Sequence, residues 1–293
     1  MLLNKSTWVA LGPTALFVLL WSSGAIFSSW GLQHASAFAF LFLRFVMACV
    51  VLGLLASYRR RWLPALGSRR RVVMVGILLT GGYTIFYLLS LDQGITPGVL
   101  ATVLGVQPIL TLLLVERRVS WMRIAGLLLA LGGLTLVVLE SLLAARFSLL
   151  GISLTLAALA CITLGSIFQK GLQQAPMDVL PLQYLIGLLM CLLFVPFQPF
   201  EYELTVGFIV PLIYMGVVIS VLATLLLYRL IRAGNLVNVT SLFYLVPGVT
   251  AGLDYLFLGN RMAPLSLLGM LAILAGLALV FRTPAASGRP LAD

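Results

Sequence analysis

Charge is what this sequence has least of. Only 9% of its 293 residues are Asp, Glu, Lys or Arg, about a third of the usual share in a soluble domain. A chain that is 62% hydrophobic at this length has too little polar surface to cover a water-facing globule, so its solvent is lipid. Histidine occurs once, as His34, and the three cysteines, Cys49, Cys161 and Cys191, all lie in apolar runs. That scarcity argues against a Cys/His metal centre, a His-assisted nucleophile and a disulfide framework. Neither GxxxxGK[ST] nor HExxH occurs, so nothing in the sequence cradles ATP phosphates or holds a catalytic zinc. We expect no cofactor, no metal and no enzyme; an intramembrane lipid-modifying enzyme is the rival from another class.

Carboxylates are especially few, eight against 18 Lys and Arg. Only Asp254 falls within an apolar span, near its outer end, so a deep acidic proton relay is missing. Facilitated diffusion, or coupling through the substrate's own protonation, is therefore expected. The net charge of +10 does not point to nucleic acid, because the basic residues cluster between apolar spans.

What is abundant is long apolar runs. Spans of about 17–25 residues predict ten helices, over residues 8–31, 37–57, 72–91, 97–115, 121–139, 150–170, 179–198, 206–228, 236–257 and 264–281. Lys5, the first apolar run and Ala35-Ser36-Ala37 mimic a signal peptide, but a run from Trp8 to Trp30 is too long for one and is read as retained. With the N-terminus inside, the inner segments hold Lys5, Arg59–61, Arg69–71, Arg117, Arg118, Arg123, Lys170, Arg229, Arg232, Arg282 and Arg289, and the outer ones only Arg146 and Arg261. This bias predicts both termini in the cytoplasm. Trp8, Trp30, Tyr58 and Trp62, near span ends, read as interface anchors.

The sequence also repeats itself. Gly126, Leu128, Leu131, Gly133, Leu134, Leu136 and Val137 fall on identical residues 143 positions later, and Pro108 pairs with Pro247 at a slightly smaller offset. Gly24-Ala-Ile-Phe27 is echoed by Gly165-Ser-Ile-Phe168, and Gly31-Leu-Gln by Gly171-Leu-Gln. Two copies of one unit follow, residues 1–139 and 150–281, with 282–293 as a cytoplasmic tail. Five helices per copy is an odd number, so the second copy enters the membrane from the opposite side. The predicted fold is an all-α membrane protein, a 5+5 inverted-topology repeat with a midplane site served by alternating access.

Trp21 with Gly24, Arg44, and the series Pro108, Glu116, Gly126, Gly133 carry a resemblance. The chain resembles the ten-helix drug/metabolite transporters built from two EamA-type repeats, over roughly residues 8–281. It departs from their pattern at Asn260, which follows Phe257-Leu-Gly259 where a glutamate is usual. The resemblance implies a bacterial inner-membrane exporter of small polar or amphipathic metabolites, foremost amino acids or related compounds, as a monomer or homodimer in the bilayer. Another carboxylate-bearing metabolite such as an opine-type metallophore, or a toxic cation or drug, is the alternative. It also implies that the fifth and tenth helices pack the halves together, which suits the small-xxx-small faces Gly126/Ala130 and Ala272/Gly276.

Arg44 is the costliest residue to bury. It lies about 10 Å inside the second span at ~1.5 Å per residue, and must bond backbone carbonyls, snorkel, or face a cavity. In the last case it would meet a substrate carboxylate or a gating partner. Pro108 and Pro247 each free a carbonyl one turn back, near Leu104 and Phe243, with Gln107 and Tyr244 beside them. They are either plain kinks or cavity lining. Trp21, Ser22, Tyr83, Tyr87, Ser166, Gln183, Tyr184 and Tyr214 complete the candidate wall. Each could equally be an ordinary interhelical hydrogen bond, though Tyr83 and Tyr87 share a helix face.

Overall fold

The structure, a computed structural model, describes residues 5–116, 119–143, 148–258 and 264–283, without side chains for 5–11, 141, 254, 257 and 258. Expectations for Arg117, Arg118, Arg146, Asn260, Arg261, Arg289 and the Asp254 side chain lie outside these residues. Ten long helices run through the rest: α1 (Lys5–Gly31), α2 (Ala37–Arg59), α3 (Leu66–Asp92), α4 (Pro97–Val115), α5 (Trp121–Val137), α6 (Leu149–Lys170), α7 (Pro176–Phe197), α8 (Val206–Ala233), α9 (Leu236–Leu253, continuing to Leu258) and α10 (Pro264–Arg282). A short helical turn, Leu139–Leu143, follows α5.

Local chemistry explains most boundaries. Pro97, Pro176 and Pro264 each open a helix, where a fixed φ helps and the missing N–H is not needed. Thr96, Ser148 and Asn235 cap α4, α6 and α9 by accepting from Val99, Gly151 and Asn238 N–H groups. Two spans outrun their apolar windows: α3 begins at Leu66 rather than 72, and α8 ends at Ala233 rather than 228. Arginine is a good helix former, and the stems of Arg69–71, Arg229 and Arg232 carry their charges to headgroup level.

The helices meet in repeat-related pairs. α1 packs on α8 and α9, and its counterpart α6 packs on α3 and α4. α2 packs on α7, α4 on α9, and α5 on α10, each pair being a helix with its own counterpart. That is the contact pattern of a half-turn relating the two halves, and a self-complementary contact is its signature. In the α5–α10 pair, a Cβ on Gly126 would come within 2.7 Å of the Gly276 carbonyl, and one on Gly133 within 2.5 Å of the Gly269 carbonyl. Gly269 and Gly276 are the residues onto which Gly126 and Gly133 slide. In lipid, where burial of apolar groups drives nothing, such close backbone approach is what holds helices together.

Both α3 and α8 contain a π-helical stretch, Gly76–Gly82 and Tyr214–Ala223. The two correspond under the repeat at the 140-residue offset of Gly31 and Gly171. A π-turn widens the helix and breaks its bonding ladder, which concentrates at functional sites. In α8 the hydroxyls of Ser220 and Thr224 donate to the Met215 and Ile219 carbonyls, five residues back. No periodicity in the sequence announced either stretch.

Candidate functional site

A cavity of about 480 Å³ lies at the centre of the bundle, within the usual range for a small-molecule site. Its wall comes from α1, α2, α3, α6, α7, α8 and α9, with Pro97 at the start of α4, so both repeats build it. Trp21, Arg44, Tyr83, Tyr87, Ser166 and Tyr184 of the expected residues line it. A smaller chamber of about 160 Å³ shares the walls of Trp21, Tyr83 and Tyr87 and holds Gln107, Tyr244, Pro108 and Pro247.

Arg44 is the one charged residue on either wall among the described residues. Its Nε donates to Ser220 Oγ at 2.7 Å, and the guanidinium lies in electrostatic reach of Tyr83 and Tyr184. No described carboxylate pairs with it. Arg44 lines the main cavity, and its hydrogen bond goes to a side-chain hydroxyl rather than to a backbone carbonyl. The repeat explains its neighbour, because Tyr184 is the residue that the offset of Gly31 and Gly171 pairs with Arg44, and the two stand on the paired helices α2 and α7. Phe45 and Tyr184 stack edge-on at 5.6 Å and 89°, which fixes the tyrosine ring.

Irregular backbone precedes both prolines. α4 breaks at Gly105, and it is the Gly105 carbonyl that Tyr244 Oη bonds, at 2.5 Å. In α9 a 3₁₀ turn over Leu242–Tyr244 precedes Pro247. Gln107 reaches across to α6 instead, donating from Nε2 to Ser166 Oγ at 3.2 Å and to the Ile162 carbonyl at 3.4 Å.

Three expected wall residues are not on either wall. Ser22 donates to the Val246 carbonyl at 3.3 Å and tacks α1 to α9. Gln183 is fully buried and donates to Gln169 Oε1 at 3.0 Å, tying α7 to α6. Tyr214 stacks on Phe27 at 3.9 Å and bonds Ser23 Oγ at 2.7 Å, between α8 and α1. Conversely, Thr80, Thr84, Tyr228 and Thr240 line the main cavity unannounced. Thr224, Tyr228 and Ile231 stand at i, i+4 and i+7, one face of a helix; that stripe was the available signal.

The cavity is closed at one end. Its residues Ala25 and Ser29 of α1, and Leu32 just past its end, are exposed, whereas Leu227, Tyr228 and Ile231 of α8 are buried. The closed end is the basic one. There Arg59 and Arg61 pair with Asp178 at 3.1 and 3.6 Å, Arg71 bonds the Gly171 carbonyl at 3.0 Å, and Lys170 bonds the Arg232 and Gly234 carbonyls. Deepest is a group the sequence reading treated as loop charge. Arg123, 0% exposed, donates to Glu116, 3% exposed. Arg123 Nη2 also donates to Asn235 and Asn238 at 3.1 and 2.7 Å. Glu116 stands just past the end of α4, and its buried carboxylate is consumed in this pair with Arg123.

At the open end the α1–α2 and α7–α8 connections pair instead through backbone. Ser36 N–H donates to the Glu201 carbonyl at 2.9 Å and Glu203 N–H to the His34 carbonyl at 2.9 Å.

Comparison with known proteins fits this picture. No curated protein matches the sequence. A crystal structure titled only "Crystal structure of protein" superposes with a TM-score of 0.77 at 20% identity, covering 94% of this chain and 98% of that one. At that identity it shows a shared fold. The model of the EamA-like transporter family matches residues 8–139 and again 149–282, so each half of the repeated sequence answers to one unit. The molecule is a multi-pass membrane transporter of the drug/metabolite type, and the chain belongs to the EamA-like transporter family.

Proposed function

We propose that the chain exports small amphipathic carboxylates, amino acids foremost, across a bacterial inner membrane, by alternating access about the central cavity. The observation that carries this reading is Arg44: a guanidinium on a mostly aromatic and apolar wall, with no carboxylate opposite it among the described residues. A site of this kind attracts a carboxylate, which a guanidinium binds with two parallel hydrogen bonds. It repels a cation, so the toxic-cation alternative is disfavoured by the same residue.

If so, Arg44→Ala should weaken binding of a carboxylate substrate by about 1.5–3 kcal/mol, the range for hydrogen bonds to charged groups. Lysine should restore only part, because it lacks the planar fork. The measurement is proteoliposome transport of a carboxylate against its amide analogue, in wild type and Arg44→Lys. Identical preference in both folded proteins would mean that Arg44 only bonds Ser220.

Sidedness is part of the proposal. The closed, basic end should be cytoplasmic by the positive-inside rule, which leaves the cavity open outward. In a chain freed of its native cysteines, Gly288→Cys should react with an impermeant maleimide only after the membrane is opened. Labelling of intact cells would reverse the assignment.

A further inference from the structure

The smaller chamber is set off from the Arg44 wall by Tyr83, Tyr87 and Trp21, which border both spaces. Phe243, Ile162 and Val246 also border both spaces, and the walls of the chamber alone are largely apolar: Leu100, Ala101 and Leu104 of α4 and Leu134 of α5. At about 160 Å³ it matches a cavity of about 150 Å³ that holds one benzene ring. Tyr83 and Tyr87 meet edge-on at 5.9 Å and 68°. Trp21 meets Phe243 in the same way at 5.5 Å and 80°. The doorway is thus built of fixed aromatic edges and faces.

Of the other polar side chains at this chamber, Thr240 and Tyr244 spend their hydroxyls on the Leu236, Val237 and Gly105 carbonyls, which leaves Gln107. Gln107 is 2% exposed and borders the chamber. Both of its hydrogen bonds leave from Nε2; because one goes to a carbonyl, the amide nitrogen must point that way. Among the described residues no donor reaches Oε1, yet it is not one of the sealed, partnerless polar atoms. Its open side is the chamber. A buried amide oxygen without a donor is costly unless something supplies one.

We propose that this chamber is a side-chain subsite. It takes an apolar tail of about one aromatic ring, and Gln107 Oε1 accepts a hydrogen bond from a donor at the tail's end, while Arg44 holds the carboxylate. The proposal rests on the carboxylate reading of the main cavity and narrows it to compounds with a ring-sized tail.

The test uses purified full-length protein in proteoliposomes with three free amino acids: alanine, phenylalanine and tyrosine. Ala101→Leu adds three carbons to the chamber wall. It should raise the KM for phenylalanine about 10-fold or more, the scale of a crowded hydrophobic pocket, and leave alanine transport unchanged. Unchanged alanine transport also certifies the fold. Gln107→Met keeps the bulk and removes the acceptor. It should erase a preference for tyrosine over phenylalanine of about 2- to 10-fold, the fold-change of one neutral hydrogen bond. If wild type transports the carboxylates but both variants keep the wild-type ratios, or Ala101→Leu slows alanine and phenylalanine equally, the subsite is overturned and the Arg44 reading stands. If wild type transports none of the three, the carboxylate reading itself fails, and the subsite with it.

Discussion

Arg123→Ala should destabilise the protein by about 3–5 kcal/mol, the cost of leaving one member of a buried ion pair alone. Arg123 and Glu116 are almost wholly buried at the basic end, and the pair joins the α4–α5 region to Asn235 and Asn238 at the start of α9. Removing the arginine leaves the Glu116 carboxylate without its cation, with only the Asn235 Nδ2 donor, and takes the donor from the Asn238 side-chain carbonyl. Asn235 has a second duty, accepting from the Asn238 backbone N–H as the cap of α9, so the loss spreads to that helix end. Glu116→Ala should cost a similar amount. The network is not complete, however: among the described residues Arg123 Nε and Glu116 Oε2 have no partner. A partly satisfied buried pair is the kind that apolar residues of similar volume replace without loss. Glu116→Leu combined with Arg123→Met should therefore recover most of the stability lost in either single alanine variant. Denaturant unfolding in detergent micelles measures all four proteins. Single variants within about 1 kcal/mol of wild type would show that the pair is not sealed from water.

The second large effect is expected where the halves touch. Gly133→Ala should exceed the usual ~1–3 kcal/mol of an overpacked core, because the new methyl meets backbone that cannot rotate away. It would lie 2.5 Å from the Gly269 carbonyl oxygen and 2.8 Å from the Ile273 nitrogen. The adjacent Gly132 is the control, since nothing stands within 4 Å of its Cβ position. Gly132→Ala should be neutral or stabilising by roughly 0.5–1 kcal/mol, the difference in helix propensity. Two neighbouring glycines thus have opposite expected signs, and thermal unfolding of the two variants decides. Equal behaviour would mean that α5 and α10 stand further apart than the glycine contacts require.

Much of the architecture was open to sequence reading because lipid imposes simple rules. A span must be apolar for its length, its backbone must be bonded within itself, and its flanking charges sort by side. Those rules act locally, so ten spans, their repeat and the glycine seam of α5 and α10 could be read from letters alone. Arg44, Pro108 and Pro247 were equally conspicuous, because an arginine or a proline inside such a span stands out against its neighbours whatever surrounds it.

The wall of the site is a different kind of property. Ser22, Gln183 and Tyr214 are as polar as Ser166, Tyr184 and Tyr83, and nothing in their local sequence separates the two sets. Whether a polar side chain in a span meets a neighbouring helix or an open cavity depends on which faces of different helices come together. Glu116 and Arg123 stand seven residues apart across a helix connection, one read as part of the Pro108–Gly133 series and the other as an inner basic charge; only the packing of α9 against α4 seals them together with Asn235 and Asn238. The π-turns of α3 and α8 arise in the same way, from helices widened where they border a space. Apolarity, spacing and charge bias determined that this chain is an inverted pair of five-helix units in a membrane. The tertiary structure decided that Arg44 looks into a cavity, that a ring-sized chamber opens beside it, and that buried charge closes the basic end, because each of these depends on distances between segments that are remote in sequence.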